Sequence, residues 1–300
     1  MMRFRLLSLS AAITLVVAGC SAGGGTSAAP SAAPTEPPTA LPSSEQTAAP
    51  TPRYAVPAAI TSAGRIVWCT DVSYPPEEFY AADGTTAQGS DIDIANEIGK
   101  RFGVTTQIDN TGFDGIIAAL LAKKCDMIIS GLSNTPKRAQ QIDFVDYLIV
   151  GEGIMVPAGN PKGIKGVPDL SGKSIAVQLG TTNQAALDKI NADFKAAGKP
   201  LMDIQTFQQD TDAFQQLNIG RVDAYATDAP VLVYYQTQNP GKFELVGDLI
   251  EPGPIGIGVR KEDSELKTAV AKVIDDMYAE GLMKQIVDKW GMTNAVILLK

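Results

Sequence analysis

Residues 173–183 read Lys-Ser-Ile-Ala-Val-Gln-Leu-Gly-Thr-Thr-Asn, and this stretch decides the fold class. The apolar run predicts a buried strand, and the glycine, threonines and asparagine after it predict a turn into a helix over residues 184–197. The same alternation recurs along the chain. Strands are predicted over residues 65–69, 127–129, 203–207, 223–227 and 255–260, and helices over residues 90–102, 113–122, 211–219, 229–236, 265–280 and 282–290.

Strands that alternate with helices indicate parallel α/β units. We therefore predict an α/β fold class. The alternating part, residues 58–300, is long for one open sheet, so two lobes with a cleft between them are more economical. Such a cleft is the usual place for a small ligand.

The composition excludes several classes of protein. The 300 residues contain no histidine and only three cysteines, which rules out Ser-His-Asp catalysis, imidazole metal sites and a four-cysteine zinc site. The net charge of −8 argues against nucleic acid as a partner. We expect no catalytic residues, no metal and no cofactor.

The first 57 residues differ in composition from the rest. Residues 1–20 combine two arginines with an apolar run and end in Val-Ala-Gly-Cys, which resembles the lipobox of a bacterial lipoprotein signal peptide. We expect Cys20 to be lipidated and to hold the protein at the outer face of the cell membrane. Residues 21–57, of which 30 are Ala, Gly, Pro, Ser or Thr, predict a disordered linker.

Seven motifs along the remaining chain point to one family. They are Asp-Val-Ser-Tyr-Pro-Pro (71–76), Gly-Ser-Asp-Ile-Asp-Ile-Ala (89–95), Phe-Asp-Gly-Ile-Ile (113–117), Asp-Met-Ile-Ile-Ser-Gly-Leu-Ser-Asn-Thr-Pro-Lys-Arg (126–138), Ala-Val-Gln-Leu-Gly-Thr-Thr (176–182), Gly-Arg-Val-Asp-Ala (220–224) leading to Asp228, and Gly-Ile-Gly-Val-Arg-Lys (256–261). In this order they resemble the bacterial extracellular solute-binding proteins of family 3, which bind polar amino acids for ABC importers.

The resemblance implies a two-lobed, type II periplasmic-binding-protein-like fold with two parallel-dominated sheets and a hinge. We expect one lobe to comprise residues 58–153 and 256–300, and the other residues 154–255. It also implies a permease as partner, and we expect the protein to be a monomer.

The residue chemistry fits an amino-acid ligand independently of the family. Arg138 offers a planar fork for a carboxylate. The turn Gly180-Thr181-Thr182 offers free backbone N–H groups at a helix start. Asp228, at a strand end, can accept an ammonium group.

The resemblance assigns roles to further residues. It implies that the carboxylate binds Arg138, Ser133 and Thr182, that the ammonium binds Asp228 and the Gly131 carbonyl, that Phe113 and Tyr74 enclose the side chain, and that Asp71 and Gln178 contact its far end. The remaining candidates for the site are Glu77, Ser130 and Thr181.

Structural roles remain open for most of these residues. Arg138 could pair with Asp143 on the surface, and Asp228 could simply cap the following helix. Thr181 and Thr182 could be helix caps. The aromatic candidates could be core residues, Ser130 could bond only to the backbone, and Glu77 could face solvent.

Two residues depart from the family pattern. Glu77 stands where the family usually has a large apolar residue, and Ser90 stands where it usually has phenylalanine. An acidic cluster of Asp71, Glu77 and Asp91 would favour arginine, lysine or ornithine, although a glutamine-like ligand also suits an acid at position 71.

Two cysteines remain if Cys20 is lipidated. Cys69 lies near the end of the first strand and Cys125 opens a neighbouring one. At about 3.3 Å per residue these positions would lie roughly 13 Å apart in a parallel pair, too far for a disulfide. We therefore expect two free thiols.

The sequence supports a lipid-anchored receptor that captures an amino acid for an importer. Two alternatives remain. The first is a dehydratase-like enzyme on the same fold, in which Glu77, the one unusual carboxylate, would serve in catalysis. The second is a sensory receptor for amino acids.

Overall fold

A computed structural model describes residues 53–300 of the chain. The predicted signal peptide, Cys20 and nearly all of the predicted linker lie outside the described residues. No helix within residues 53–300 is long and apolar enough to cross a membrane.

Twelve strands form two sheets in this part of the chain. They are β1 (Arg65–Thr70), β2 (Ser73–Tyr74), β3 (Glu78–Tyr80), β4 (Ala87–Gln88), β5 (Thr105–Asn110), β6 (Met127–Ile128), β7 (Asp143–Pro157), β8 (Ser174–Gln178), β9 (Asp203–Phe207), β10 (Ala224–Asp228), β11 (Phe243–Val259) and β12 (Val296–Leu298). The large sheet has the order β5-β1-β6-β11-β7-β10-β8-β9, with β12 paired to β7, and β2, β3 and β4 form the small one.

Within residues 53–300, nine α-helices pack around these sheets. They are α1 (Ala58–Ala63), α2 (Ser90–Phe102), α3 (Ile116–Leu121), α4 (Pro136–Ala139), α5 (Thr182–Ala196), α6 (Asp210–Asn218), α7 (Ala229–Gln238), α8 (Ser264–Ala279) and α9 (Leu282–Lys289). Helix α2 has the predicted bounds. Its apolar residues repeat at helical spacing, and it ends at Gly103, whose φ of 70° is the left-handed conformation that glycine readily adopts.

The long strands β7 and β11 connect the two halves of the large sheet. They pair antiparallel from Asp143 opposite Val259 to Pro157 opposite Phe243, with interruptions of register between residues 246 and 256. Strands β1, β5 and β6 form parallel pairs on one side, and β8, β9 and β10 on the other. Each half is therefore a parallel α/β unit, and the two long strands run through both.

The buried apolar side chains follow the same division. Two clusters draw on residues 54–150 and 255–292, and two others on residues 154–243. Tyr74 is the exception, because it belongs to the first half and packs in a cluster of the second.

The folded part starts before the predicted boundary at residue 57. Tyr54 is buried against Phe102, and its hydroxyl donates to Asp276 at 3.0 Å. Arg53 pairs with Asp276 and Glu280. These contacts fix residues 53–57 on the folded part.

The prediction of two free thiols is wrong. Cys69 and Cys125 form a disulfide, with their Cα atoms 5.6 Å apart. The prediction placed Cys125 in the strand, whereas β6 begins only at Met127 and Asp126 already bonds to the backbone of Val67. The loop before β6 therefore brings Cys125 beside β1, where both sulfurs are buried.

Candidate functional site

A narrow cleft lies where the two halves of the large sheet meet. Strands β1, β6, β8 and β10 end at it, as expected for a ligand site in an open α/β sheet. Its lining residues come from both halves: Asp71, Tyr74, Glu78, Phe113, Gly131, Ser133, Gln178, Thr181, Thr182, Asn183 and Asp228.

One end of the cleft is built around Asp71, which directly follows β1. Its carboxylate accepts hydrogen bonds from the Phe113 backbone N–H at 3.0 Å and from Gln178 Nε2 at 2.8 Å. Burial raises the pKa of Asp71, and these hydrogen bonds oppose the rise. Because Gln178 ends β8, this contact joins the two halves.

The middle of the cleft is built around Asp228, which ends β10 and is 4% exposed. Its Oδ1 accepts a hydrogen bond from Asn183 Nδ2 at 3.0 Å. Its backbone N–H donates to the Tyr74 hydroxyl at 3.3 Å, and the Thr227 hydroxyl lies 3.2 Å from the same oxygen. Tyr74 therefore links the first half to the end of β10.

Arg138 lies beside the cleft and bonds to residues of both halves. Its Nη1 donates to the Ser133 carbonyl at 3.0 Å and its Nη2 to the Gly180 carbonyl at 3.2 Å, so the guanidinium also connects the two halves. It lies 5.3 Å from the centre of the Phe113 ring, within cation–π range. Burial lowers the pKa of Arg138, and the charge of Asp228 opposes this.

A hydroxyl pair lies between these groups. Ser133 Oγ and Thr182 Oγ1 are 3.2 Å apart across the cleft. Thr182 is the first residue of α5, so backbone N–H groups of the helix start are close by. Hydroxyls, helix N–H groups and a guanidinium can together hold a carboxylate.

Nine of the twelve predicted site residues line the cleft. The other three do not, and each has a definite place. Glu77 is buried behind the lining, Arg138 spans the rim, and Ser130 accepts from the Asp71 N–H and donates to Glu78. Ser130 therefore bonds both to the backbone of Asp71 and to the side chain of a residue that lines the cleft.

The other structural alternatives also have clear outcomes. Arg138 does not pair with Asp143, whose partners are Lys261 and Lys267. Asp228 precedes α7 but makes no side-chain capping bond to it. Thr181 does cap α5, since its Oγ1 accepts from the Gln184 N–H at 3.1 Å.

Sequence reasoning missed two lining residues. Glu78 directly follows the predicted candidate Glu77, and Asn183 directly follows the predicted candidate Thr182. Each missed residue is therefore the immediate neighbour of a predicted site residue. Asn183 is 4% exposed, and its Oδ1 has no hydrogen-bond partner.

Acidic side chains outnumber cationic ones around the cleft. Burial raises the pKa of Asp91 to about 6, that of Glu152 to about 7 and that of Asp210 to about 8. It also raises the pKa of Asp228. Residues 53–300 contain no group of acids and cysteines arranged to hold a metal ion. The surroundings of the cleft are therefore rich in carboxyl groups that keep their proton to a higher pH than usual.

The sequence and the fold match known proteins over the whole α/β part. Residues 66–293 match the bacterial extracellular solute-binding proteins, family 3. The histidine-binding periplasmic protein of Salmonella typhimurium is 32% identical over 228 residues, which are 74% of this chain and 85% of that protein.

Two solved structures are similar as well. An ancestral arginine-binding protein bound to arginine is 38% identical, with a TM-score of 0.70, and the match covers 76% of this chain and 98% of that one. An ancestral amino-acid-binding protein, described as a precursor of cyclohexadienyl dehydratase, is 33% identical, with a TM-score of 0.70 and coverage of 77% and 97%. These matches confirm the predicted family and the two-lobed type II fold.

Proposed function

Because the chain belongs to the bacterial extracellular solute-binding proteins of family 3, we propose that it captures a polar amino acid in the cleft and delivers it to the permease of an ABC importer. The observation that carries this proposal is that the cleft lining brings together Asp228 and the hydroxyl pair of Ser133 and Thr182, with Arg138 bonded to the Ser133 carbonyl. A zwitterion needs charge-assisted partners for both of its charges, each contributing about 1.5–3 kcal/mol.

In this proposal the α-carboxylate binds the Arg138 guanidinium and the hydroxyls of Ser133 and Thr182. The α-ammonium binds Asp228 and the Gly131 carbonyl. The side chain lies between Phe113 and Tyr74 and ends near Asp71 and Gln178, which also line the cleft.

We also propose the lobe boundaries given by the sequence: residues 58–153 and 256–300 in one lobe, and residues 154–255 in the other. The division of the buried clusters supports these limits. Strands β7 and β11 would form the hinge. A ligand that contacts both lobes would favour the closed arrangement.

Attachment to the membrane belongs to the same proposal. Lipidation of Cys20 would hold the protein at the outer face of the cell membrane. The protein would act there as a monomer. Mass spectrometry of the membrane fraction tests this, since the Cys20→Ser variant is expected to lose the acyl mass and to leave the membrane.

Calorimetry against the twenty protein amino acids and ornithine tests the binding proposal. We expect saturable binding of one chemical class with micromolar affinity, about −8 kcal/mol, and full recovery of unchanged ligand. Arg138→Glu is expected to abolish this binding, whereas Arg221→Glu, at an exposed position away from the cleft, is expected to preserve it.

Two outcomes would contradict the proposal. Unchanged affinity in Arg138→Glu would refute the assignment of the carboxylate partner. Conversion of a bound acid into a product would favour the dehydratase alternative, to which one of the similar solved structures is related by its description.

A further inference from the structure

A row of aromatic side chains crosses between the two halves of the protein outside the cleft. Phe79, on β3 of the first half, has its ring centre 5.8 Å from that of Trp290 and 5.6 Å from that of Tyr234. Trp290 follows α9 and packs against a buried cluster of the first half, whereas Tyr234 lies on α7 and packs against one of the second. The contact between Phe79 and Tyr234 therefore joins the halves, although neither ring lines the cleft.

Each ring of this contact is held in place by its own half. Trp290 Nε1 donates to Asp93 at 2.7 Å, and the indole meets the Phe79 ring edge-on, at an interplanar angle of 82°. On the other side, the Tyr234 ring lies 5.6 Å from that of Tyr235, which is buried in the second half. Rings that are already positioned lose little conformational entropy when the halves meet, so more of their contact energy remains.

The small sheet brings Phe79 to the second half without placing it in the site. Successive side chains of a strand point to opposite faces, so Glu78 lines the cleft while Phe79 points away from it. Ser73 lies opposite Phe79 on β2, and its Oγ accepts from the Asp210 backbone N–H at 3.1 Å. Because Asp210 begins α6, this bond also connects the small sheet to the second half.

We propose that Phe79 and Tyr234 form an aromatic latch that favours the closed arrangement whichever amino acid lies in the cleft. This inference rests on the proposed function. Opening at a hinge formed by β7 and β11 would separate the two rings, so their contact stabilises only the closed arrangement. A larger closed fraction raises the affinity for every ligand of that arrangement by the same factor. The latch therefore sets the strength of binding, and the residues that line the cleft set its selectivity.

Tyr234→Leu removes the ring from the second half and keeps an apolar, helix-forming residue on α7. An aromatic pair at this distance is worth about twofold to tenfold in an equilibrium constant. We therefore expect the dissociation constants of L-arginine, L-lysine and L-glutamine, for each of these that binds, to rise by a common factor of about five. The change should appear chiefly as faster dissociation, because the latch separates before the amino acid leaves.

A double-mutant cycle measures the contact itself. Phe79→Leu, Tyr234→Leu and the double variant are compared by calorimetry and stopped-flow fluorescence, with folding checked by circular dichroism. Either single variant breaks the same contact, so the double variant is expected to bind no more weakly than the weaker single one. Phe79→Leu alone tests the proposal if Tyr234→Leu does not fold. Tyr80→Leu is the matched control and is expected to leave affinity unchanged, because Tyr80 is 38% exposed on the opposite face of β3.

The outcomes separate this inference from the proposed function. Unchanged affinity in the folded variants, or losses that simply add in the double variant, would overturn the latch while leaving amino-acid capture intact. Losses that differ more than about threefold between two bound amino acids would also overturn it, since the rings would then act on the ligand directly. The absence of binding of any amino acid to the unmodified protein would instead refute the proposed function.

Discussion

The ligand-free protein is expected to lose stability as the pH rises from 5 to 7. Burial raises the pKa of Asp210 to about 8, and the nearby carboxyls of Asp228 and Asp71 contribute to the rise. Tyr225 and Thr227 donate hydrogen bonds to Asp210 and oppose it. The folded chain therefore keeps a proton on Asp210 over a range in which the unfolded chain has already lost it.

The size of the effect follows from proton linkage. Below about pH 4 both states hold the proton, and above about pH 8 neither does, so the loss falls between these limits. One proton held only by the folded state costs about 1.4 kcal/mol per pH unit as the pH rises. From pH 5 to pH 7 the free energy of unfolding is thus expected to fall by about 3 kcal/mol through Asp210 alone.

Thermal unfolding followed by circular dichroism measures this effect. For a chain of this size a loss of 3 kcal/mol corresponds to a decrease in Tm of about 6–12 °C. The chain contains no histidine, so side-chain titration in this interval comes from carboxyl groups with raised pKa values. Asp210→Asn is the control and is expected to flatten the dependence on pH. A Tm that stays constant or rises between pH 5 and pH 7 would refute the reasoning.

Two further predictions concern the framework that holds the site. In a Cys20→Ser background, a thiol titration is expected to find no free thiol before reduction and two after it, and two free thiols in the unreduced protein would contradict the structure. Cys125→Ala is expected to lower the free energy of unfolding by about 4 kcal/mol, because the disulfide closes a loop over 56 residues of sequence separation. Gly89→Ala is expected to cost about 3 kcal/mol or more in denaturant unfolding, since φ at Gly89 is 137° and an added Cβ would lie 2.0 Å from the Glu77 carbonyl oxygen. Gly84→Ala is the matched control, because its φ is also positive but an added Cβ meets open space, and a similar cost in both variants would contradict the steric argument.

The sequence predicted those parts of the fold that depend on local periodicity. Helix α2 and strand β9 have their predicted bounds, because their apolar spacing and end signals are contained in the elements themselves. Of the long strands β7 and β11, only the end of β11 was predicted as a strand, over residues 255–260. Their burial arises from partners on both halves of the sheet, so no local pattern marks their length.

The site was predictable to the extent that strand ends define it. Gln178 and Asp228 end β8 and β10, and both lie in the cleft as expected. The contact between Cys69 and Cys125 was not predictable from strand register, because it depends on the path of the loop before β6.

The raised carboxyl pKa values have one physical origin. Asp210 and Asp228 are buried, and burial opposes the charged form of each, so a proton or a ligand cation can offset their charge. Protons and a cationic amino acid would therefore compete for the same groups. If the ligand is cationic, raising the pH should weaken the ligand-free fold but strengthen arginine binding. Arginine affinity that falls between pH 5 and pH 7 would show that the acids are offset in another way.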